Sequence, residues 1–399
     1  MAELLYVSMH NSFIYPIDTD KFDEIRGQGK LYVDKTDMIY DIVKVKMYKY
    51  VFMARPRRFG KSLLCNTLHA YFEGRKELFD GLKIAELEKD WVKYPVLHFD
   101  MSAMLNCKTI AEMREVLEKM LSDYENLYGI KKDVNEIGAR FGSLLCRVKE
   151  KTGLAVVVLI DEYDTPMMRN LYNEEMKENV RTLMKAFYQR LKIDGSYLRF
   201  VFLAGITKFS QMSIFSELNN LNQISMADEY SGLCGITQEE LDTVLHPCVE
   251  DFAKAQECSV EEAYAMLKKQ YDGYHFSENS HDVYAPFSLL KAFNDRKLKE
   301  YWFESGTSSS LIEHLKHFPK FNPLEFDGIR VMEDEFNTPC EDADSPIPLL
   351  YQSGYLSIDT YNKRMKSYIL HFPNFEVRNG IIKSLAPIVL KRDKSDNNA

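Results

Sequence analysis

Residues 50–64 read YVFMARPRRFGKSLL. Tyr50 to Ala54 form a short apolar run that suits a buried strand, and Leu63, Leu64, Leu68, Tyr71 and Phe72 recur at helical spacing beyond it. The polar stretch between them is therefore a strand-to-helix loop, and it ends in Gly60-Lys61-Ser62. A phosphate-binding loop has the form G-x-x-x-x-G-K-[ST]. Its glycines let backbone N–H groups turn onto a phosphate, its lysine bridges the β and γ oxygens, and its hydroxyl ligates Mg²⁺ at the helix start. Gly60, Lys61 and Ser62 fit the last three positions, while Arg55 stands where the first glycine belongs. The expected nucleotide contacts run through Arg55, Pro56, Arg57, Arg58, Phe59, Gly60, Lys61, Ser62 and Leu63. The three arginines either add positive charge for phosphate oxygens or form a solvated basic turn.

Working outward, YPVLHFDMS (94–102), GLAVVVLIDEYD (153–164) and LRFVFLAG (198–205) read as further strands, and 110–128, 136–150 and 173–192 as helices. Near-continuous aliphatic runs suit strands covered on both faces. Strands alternating with helices over about 45–210 imply an α/β fold, a doubly wound, mostly parallel sheet in three α/β/α layers. The strand ending in Asp161 brings that carboxylate near the Ser62 hydroxyl, where it can hold Mg²⁺ directly or through water. Glu162 points differently and is the candidate for polarising an attacking water; both acids capping the next helix is the alternative. Thr207 and Lys208 follow the strand 198–205, at the edge where ligands of open α/β sheets bind. Thr207 is there either a γ-phosphate sensor or a hydroxyl closing a loop.

The 399 residues exceed what one core normally supports, so two or three domains are expected. The divisions fall at 1–232 for the sheet with its lead-in, 233–330 for a helical domain, 331–385 for a winged-helix-like segment, and 386–399 for a polar tail. Thr237 and Ser259 open amphipathic helices with capping-box spacing, and 346–374 reads as a helix and a two-stranded ribbon turning near Asn362–Met365. Fifty-one Lys and Arg against 60 Asp and Glu give a net charge of −9, which excludes indiscriminate coating of nucleic acid or anionic membrane. The longest apolar run, Leu154 to Ile160, is far short of a membrane span, and the N-terminus lacks a signal-peptide pattern, which points to a cytoplasmic protein. Seven scattered cysteines form no CxxC, so neither a disulfide framework nor a zinc module is expected.

Three other features carry competing readings. His314 and His317 are spaced for one helix face but lack a third metal ligand. Tyr271, Tyr274, Tyr284, Phe287, Tyr301, Trp302 and Phe303 read as helical-domain core, with base stacking as the alternative. Lys363, Arg364 and Lys366 at the ribbon tip offer a modest positive site for DNA or protein, or a solvated hairpin.

Taken together, FDEIRGQGKLYVDKT, RPRRFGKSLL, YPVLHFDMS, VVVLIDEYDTPM, GITKFSQMSIFSELNNL, LCGITQEEL, YDGYHFS, VYAPFSLL, YWFESGT and LLYQSGYL resemble the bacterial AAA-ATPase-like family, over about Pro16 to Gly380. That family is abundant in gut Bacteroidales and Clostridia and is commonly fused to a C-terminal PD-(D/E)xK nuclease-like domain. The resemblance implies a P-loop ATPase core related to STAND-type archaeal ATPases, in which an arginine at the first loop-glycine position is a family habit. It implies ATP and Mg²⁺ as cofactors, Lys61 and Ser62 as phosphate and metal ligands, Asp161 as the metal's acid and Glu162 as the base that orients water. It leaves open a homo-oligomer and a DNA or protein partner. No Asp followed by Glu-x-Lys appears after residue 380, so a nuclease site is not expected in this chain.

Overall fold

A computed structural model describes residues 13–207, 221–303, 308–318, 322 and 325–384, with the side chains of 308–311 left out. Five strands make the central sheet: β1 (Tyr50–Ala54), β2 (Val96–Asp100), β3 (Val156–Asp161), β4 (Leu198–Gly205) and β5 (Asn222–Gln223). Their order is β2-β3-β4-β1-β5, and every neighbouring pair is parallel. The strand of the loop and the strand of the acids are thus not adjacent, because β4 lies between them. All six residues of β3 are buried, which explains the absence of any alternation in VVVLID; each such aliphatic side chain contributes roughly 1.5–3 kcal/mol by leaving water.

Helices cover both faces. On one side pack α2 (Ile110–Leu127), α3 (Ile137–Thr152) and α5 (Glu174–Ile193), with Phe141 and Phe187 stacked at 4.3 Å. Between α2 and α3 the buried Arg140 holds Glu125 through two bonds of 2.8 and 2.6 Å. On the other side lies α1 (Lys61–Phe72), whose Leu64, Leu68 and Phe72 meet Phe200 and Phe202 of β4 in one core. The short α4 (Thr165–Arg169) follows β3 directly.

Beyond the sheet, α6 (Gln238–Thr243), α7 (His246–Ala255), α8 (Val260–Tyr271) and α9 (Pro286–Asp295) enclose a core of Leu241, Val249, Phe252, Leu267 and Phe293. Thr237 and Ser259 both close full capping boxes, with Glu240 and Glu262. The buried Lys35, in the lead-in, forms an ion pair with the half-buried Glu240 and so ties the lead-in to α6. Strands β6 (Ile236–Thr237) and β7 (Val283–Tyr284) pair antiparallel. The helix α10 (Ser308–Lys316) precedes a sheet in which β8 (Ile329–Met332), β9 (Ser357–Asn362) and β10 (Ser367–His371) are antiparallel in the order β8-β10-β9. The expected two-stranded ribbon therefore has a third strand. IRVM is too short and too mixed in polarity to announce itself before its partner β10 is in place. Helix α11 (Ile347–Gln352) leads into β9. Buried residues from this half, Trp302, Tyr355 and Leu370 among them, share the core of the sheet's α1 face.

Candidate functional site: the carboxyl edge of the parallel sheet

Strands β1 to β4 end at one edge, with Ala54 in register with Gly205 and Asp100 with Asp161. From β1 the chain turns through two left-handed residues, Arg58 (φ 63°) and Gly60 (φ 87°), and enters α1 at Lys61. A Cβ on Gly60 would have open space around it, so the glycine answers the backbone angle and not crowding. Arg58, with a Cβ, takes the same region at a cost of about 1 kcal/mol. The N–H groups of Arg57, Arg58, Phe59 and Gly60 donate to no acceptor among the described residues, and those of Lys61, Ser62 and Leu63 open a 12-residue helix. A run of uncommitted N–H groups ending at a helix N-terminus is an anion-binding concavity.

Lys61 closes the loop on itself. Its buried ammonium donates to the carbonyls of Arg55 and Pro56, both at 2.9 Å, which occupies two of its three N–H donors. Burial pulls its pKa down, while Asp161, Glu162 and Asp164 hold it up. Asp161 is 4% exposed. Burial raises its pKa to about 6, against the opposing pull of a hydrogen bond from Ser62 and the charge of Lys61. The three residues expected to handle phosphate and metal therefore meet, and an oxygen donor pair with an unusually proton-avid carboxylate suits a hard divalent cation.

Glu162 takes a left-handed backbone (φ 48°) immediately after β3, its N–H donating to Asp161 Oδ1 at 2.9 Å. Its own carboxylate accepts from the Thr165 hydroxyl at 2.9 Å. A non-glycine residue in this region costs on the order of 1 kcal/mol or more and persists only where its surroundings impose it. Thr207 is wholly buried, and its hydroxyl donates to Asp164 Oδ2 at 2.8 Å. The same oxygen accepts from the N–H groups of Thr207 (2.7 Å) and Ile206 (2.9 Å), so Asp164 laces the end of β3 to the end of β4.

The arginines divide. Arg55 is 1% exposed; its guanidinium donates to the carbonyls of Ala54 (3.0 Å), Ser225 (2.6 Å) and Tyr230 (3.2 Å) and lies 4.1 Å over the ring of Phe276. Burial lowers its pKa to about 10. Arg58 is exposed and lies 4.2 Å over Phe287. Arg57, also exposed, lines a cavity of about 660 Å³ together with Glu162, Asp164, Arg169 and His317. On the other flank of the loop, Tyr32, Val33, Phe59, Leu63 and Leu290 line an apolar cleft of about 100 Å³.

A family model described as predicted AAA-ATPase matches residues 16–215, half of the chain. An uncharacterized protein in the vnfD 5′ region of Azotobacter chroococcum mcd 1 is 34% identical over 377 residues, which cover 93% of this chain and 69% of that protein. The chain belongs to the AAA-ATPase-like family. ATP binding on a P-loop is what that family assignment carries, and the parallel sheet with its loop agrees with it.

Within this AAA-ATPase-like chain two acids at the edge escaped the sequence reading. Asp164 is the third acid of DEYD and lies three residues past the end of β3, in the turn before α4. Asp100 closes YPVLHFD, and its neighbouring charge is one of the influences raising the pKa of Asp161. Both had a signal in the acid-terminated strand. His314 and His317 both engage Tyr172, the first through a hydrogen bond to its hydroxyl and the second by stacking at 3.6 Å. No group of three His, Cys, Asp or Glu suited to a metal occurs among the described residues. Of the aromatic band, Tyr271, Tyr284 and Tyr301 pack in the helical core with the half-buried Phe287 against it, whereas Tyr274, Trp302 and Phe303 belong to the core on the sheet's α1 face, so the band is not helical-domain core alone. Lys208 lies outside the described residues. Among the described residues no helix is long and apolar enough to cross a membrane.

Proposed function

We propose that this chain is a Mg²⁺-dependent ATPase in which the nucleotide state of the 55–62 loop governs the C-terminal half, making it a switch coupled to a partner. The observation that carries the proposal is the meeting of Lys61, Ser62 and Asp161 beside a row of uncommitted backbone N–H groups. The phosphates lie along that row. The third N–H of Lys61 serves the β and γ oxygens, and the apolar cleft beside Leu63 takes the base. A Mg²⁺ ion would be held by Ser62 and Asp161 and would neutralise charge on the β and γ oxygens.

On the cavity side of the loop, Glu162 is the residue that orients water for attack on the γ-phosphorus, and Arg57, which lines the same cavity, adds positive charge to that of Lys61 there. Thr207 acts through Asp164 and sets the separation of β3 and β4. The strand between β1 and β3 fits the additional-strand class of nucleotide hydrolases, in which an acid at the Glu162 position does this work.

The experiment is turnover and binding by the purified chain with and without Mg²⁺, alongside Lys61→Ala and Glu162→Gln. The first variant loses binding; the second binds and hydrolyses at least a hundredfold more slowly. Parent-like hydrolysis by Glu162→Gln overturns the catalytic assignment.

A second reading, a nucleotide-gated binding module with little turnover that recruits DNA or protein in a mobile-element or phage-defence setting, is favoured by one observation. The carboxylate of Glu162 is engaged by Thr165, and the hydroxyl of Thr207 by Asp164. Tight nucleotide retention, turnover below once per minute and nucleotide-dependent oligomerisation would select it. The basic tip at Lys363, Arg364 and Lys366 is its candidate contact, with a homo-oligomer as the other outcome.

A further inference from the structure

Three consecutive loop carbonyls accept from fixed donors. Those of Arg55 and Pro56 are held by Lys61. The third, on Arg57, is held by a residue far away in the chain: the indole Nε1 of Trp302 donates to it at 3.1 Å. A trans peptide is planar with its C=O and N–H opposed, and the described residues contain no cis peptide. Pinning the Arg57 carbonyl toward the indole therefore turns the N–H of Arg58 to the opposite side. That N–H donates to no acceptor among the described residues, so it belongs to the row that would meet phosphate. With the indole bond gone, the 57–58 peptide is free to rotate, and a carbonyl oxygen facing an incoming phosphate repels it.

The indole is itself built in. Trp302 is 1% exposed, its backbone N–H donates to Glu376 Oε1 at 2.7 Å, and that buried carboxylate also accepts from Ser288 Oγ at 3.1 Å. Its ring packs edge-on against Tyr355 at 5.1 Å and Phe303 at 5.3 Å. Gly354, the neighbour of Tyr355, abuts the loop directly: a Cβ there would lie 2.6 Å from Cβ of Pro56 and 2.7 Å from its Cγ. Two separate pieces of the C-terminal half, around 302 and 354–355, thus meet Pro56 and Arg57, and a third, at 376, holds Trp302 in place.

We infer that Trp302 is a positioning residue for the phosphate loop, through which the C-terminal half holds the Arg57–Arg58 peptide ready for a triphosphate and senses its arrival. The inference rests on the nucleotide reading of this loop. It assigns the coupling to one hydrogen bond and its aromatic mounting, because that is the one place where a C-terminal side chain bonds the backbone of the 55–60 turn among the described residues.

The chain has two tryptophans, Trp91 and Trp302, which makes the test spectroscopic as well as thermodynamic. Trp302→Phe removes the indole N–H and keeps an aromatic ring. Calorimetric titration with Mg-ATP is expected to show affinity roughly three- to tenfold weaker than the parent, the size of one lost hydrogen bond. In Trp91→Phe, where Trp302 is the sole indole, emission is expected to change saturably with Mg-ATP, with the midpoint of the calorimetric curve. Parent-like affinity in Trp302→Phe, even with a lowered melting temperature, would mean that the indole only supports the fold and would overturn the inference. So would constant emission from Trp91→Phe through saturation. If the parent itself takes up no nucleotide, the nucleotide reading falls and this inference with it; if the parent binds and neither variant responds, only this inference falls.

Discussion

Replacing Asp161 by Asn should stabilise the ligand-free chain at neutral pH while destroying its response to Mg²⁺. The carboxylate is 4% exposed, and burial lifts its pKa from 3.8 to about 6. A shift of about 2 units at ~1.4 kcal/mol each is roughly 3 kcal/mol. The sign follows from the direction: a folded-state pKa above the unfolded value favours the native state when the group is protonated, so the advantage is complete below pH 3.8 and is lost as pH rises through about 6. At pH 8 the parent carries the full cost of an ionised buried carboxylate. Asn carries none and still offers a carbonyl to the Ser62 hydroxyl. The assay is urea unfolding of both proteins without nucleotide from pH 4 to pH 8. Asp272, whose pKa burial also raises to about 6, titrates in both and cancels in the difference. The variant should gain on the parent by roughly 2–3 kcal/mol between the ends of that range. With Mg-ATP present the order should reverse, because metal affinity in the parent strengthens as Asp161 loses its proton through pH 6 and the variant has no proton to lose. A stability difference that does not change with pH would refute the reasoning.

Gly60→Ala should cost about 1–2 kcal/mol in unfolding experiments, since the added methyl meets nothing and the whole penalty comes from φ 87°; an unchanged melting temperature would contradict it. Asp164→Ala leaves the N–H groups of Ile206 and Thr207 and the Thr207 hydroxyl without their acceptor, and should lower stability by roughly 2–4 kcal/mol in urea unfolding. Glu162→Gln should hold the melting temperature within a degree or two of the parent and hydrolyse ATP at least a hundredfold more slowly in a phosphate-release assay.

The sheet was readable because its strands are covered on both faces: the stretches VVVLI (156–160) and FVFLA (200–204) had to be apolar throughout, and no turn residue interrupts them. The loop was readable because Gly60, Lys61 and Ser62 each answer a separate chemical demand. The strand order was not readable, since insertion of β4 between β1 and β3 depends on long-range pairing that leaves no local pattern, and β5 is only two residues long. Arg55 shows a different limit. A charged residue in a phosphate loop invites a phosphate contact, yet its guanidinium is bonded to three carbonyls and stacked on Phe276. Neutral backbone acceptors and an aromatic face contributed from residues 225, 230 and 276 have no signature near position 55. Trp302 was equally opaque: its aromatic neighbours marked it as core, and core it is, but its one polar atom reaches the loop.

The central claim is that the turn from Arg55 to Ser62 grips a triphosphate. Isothermal titration of the parent chain with ATP in Mg²⁺, set against Lys61→Ala under the same conditions, tests it most directly. The account predicts one saturable site in the parent and at least a hundredfold weaker uptake in the variant, which lacks the ammonium that also fixes the Arg55 and Pro56 carbonyls. Equal uptake by the two proteins, or no heat from the parent with any nucleoside triphosphate, would contradict it.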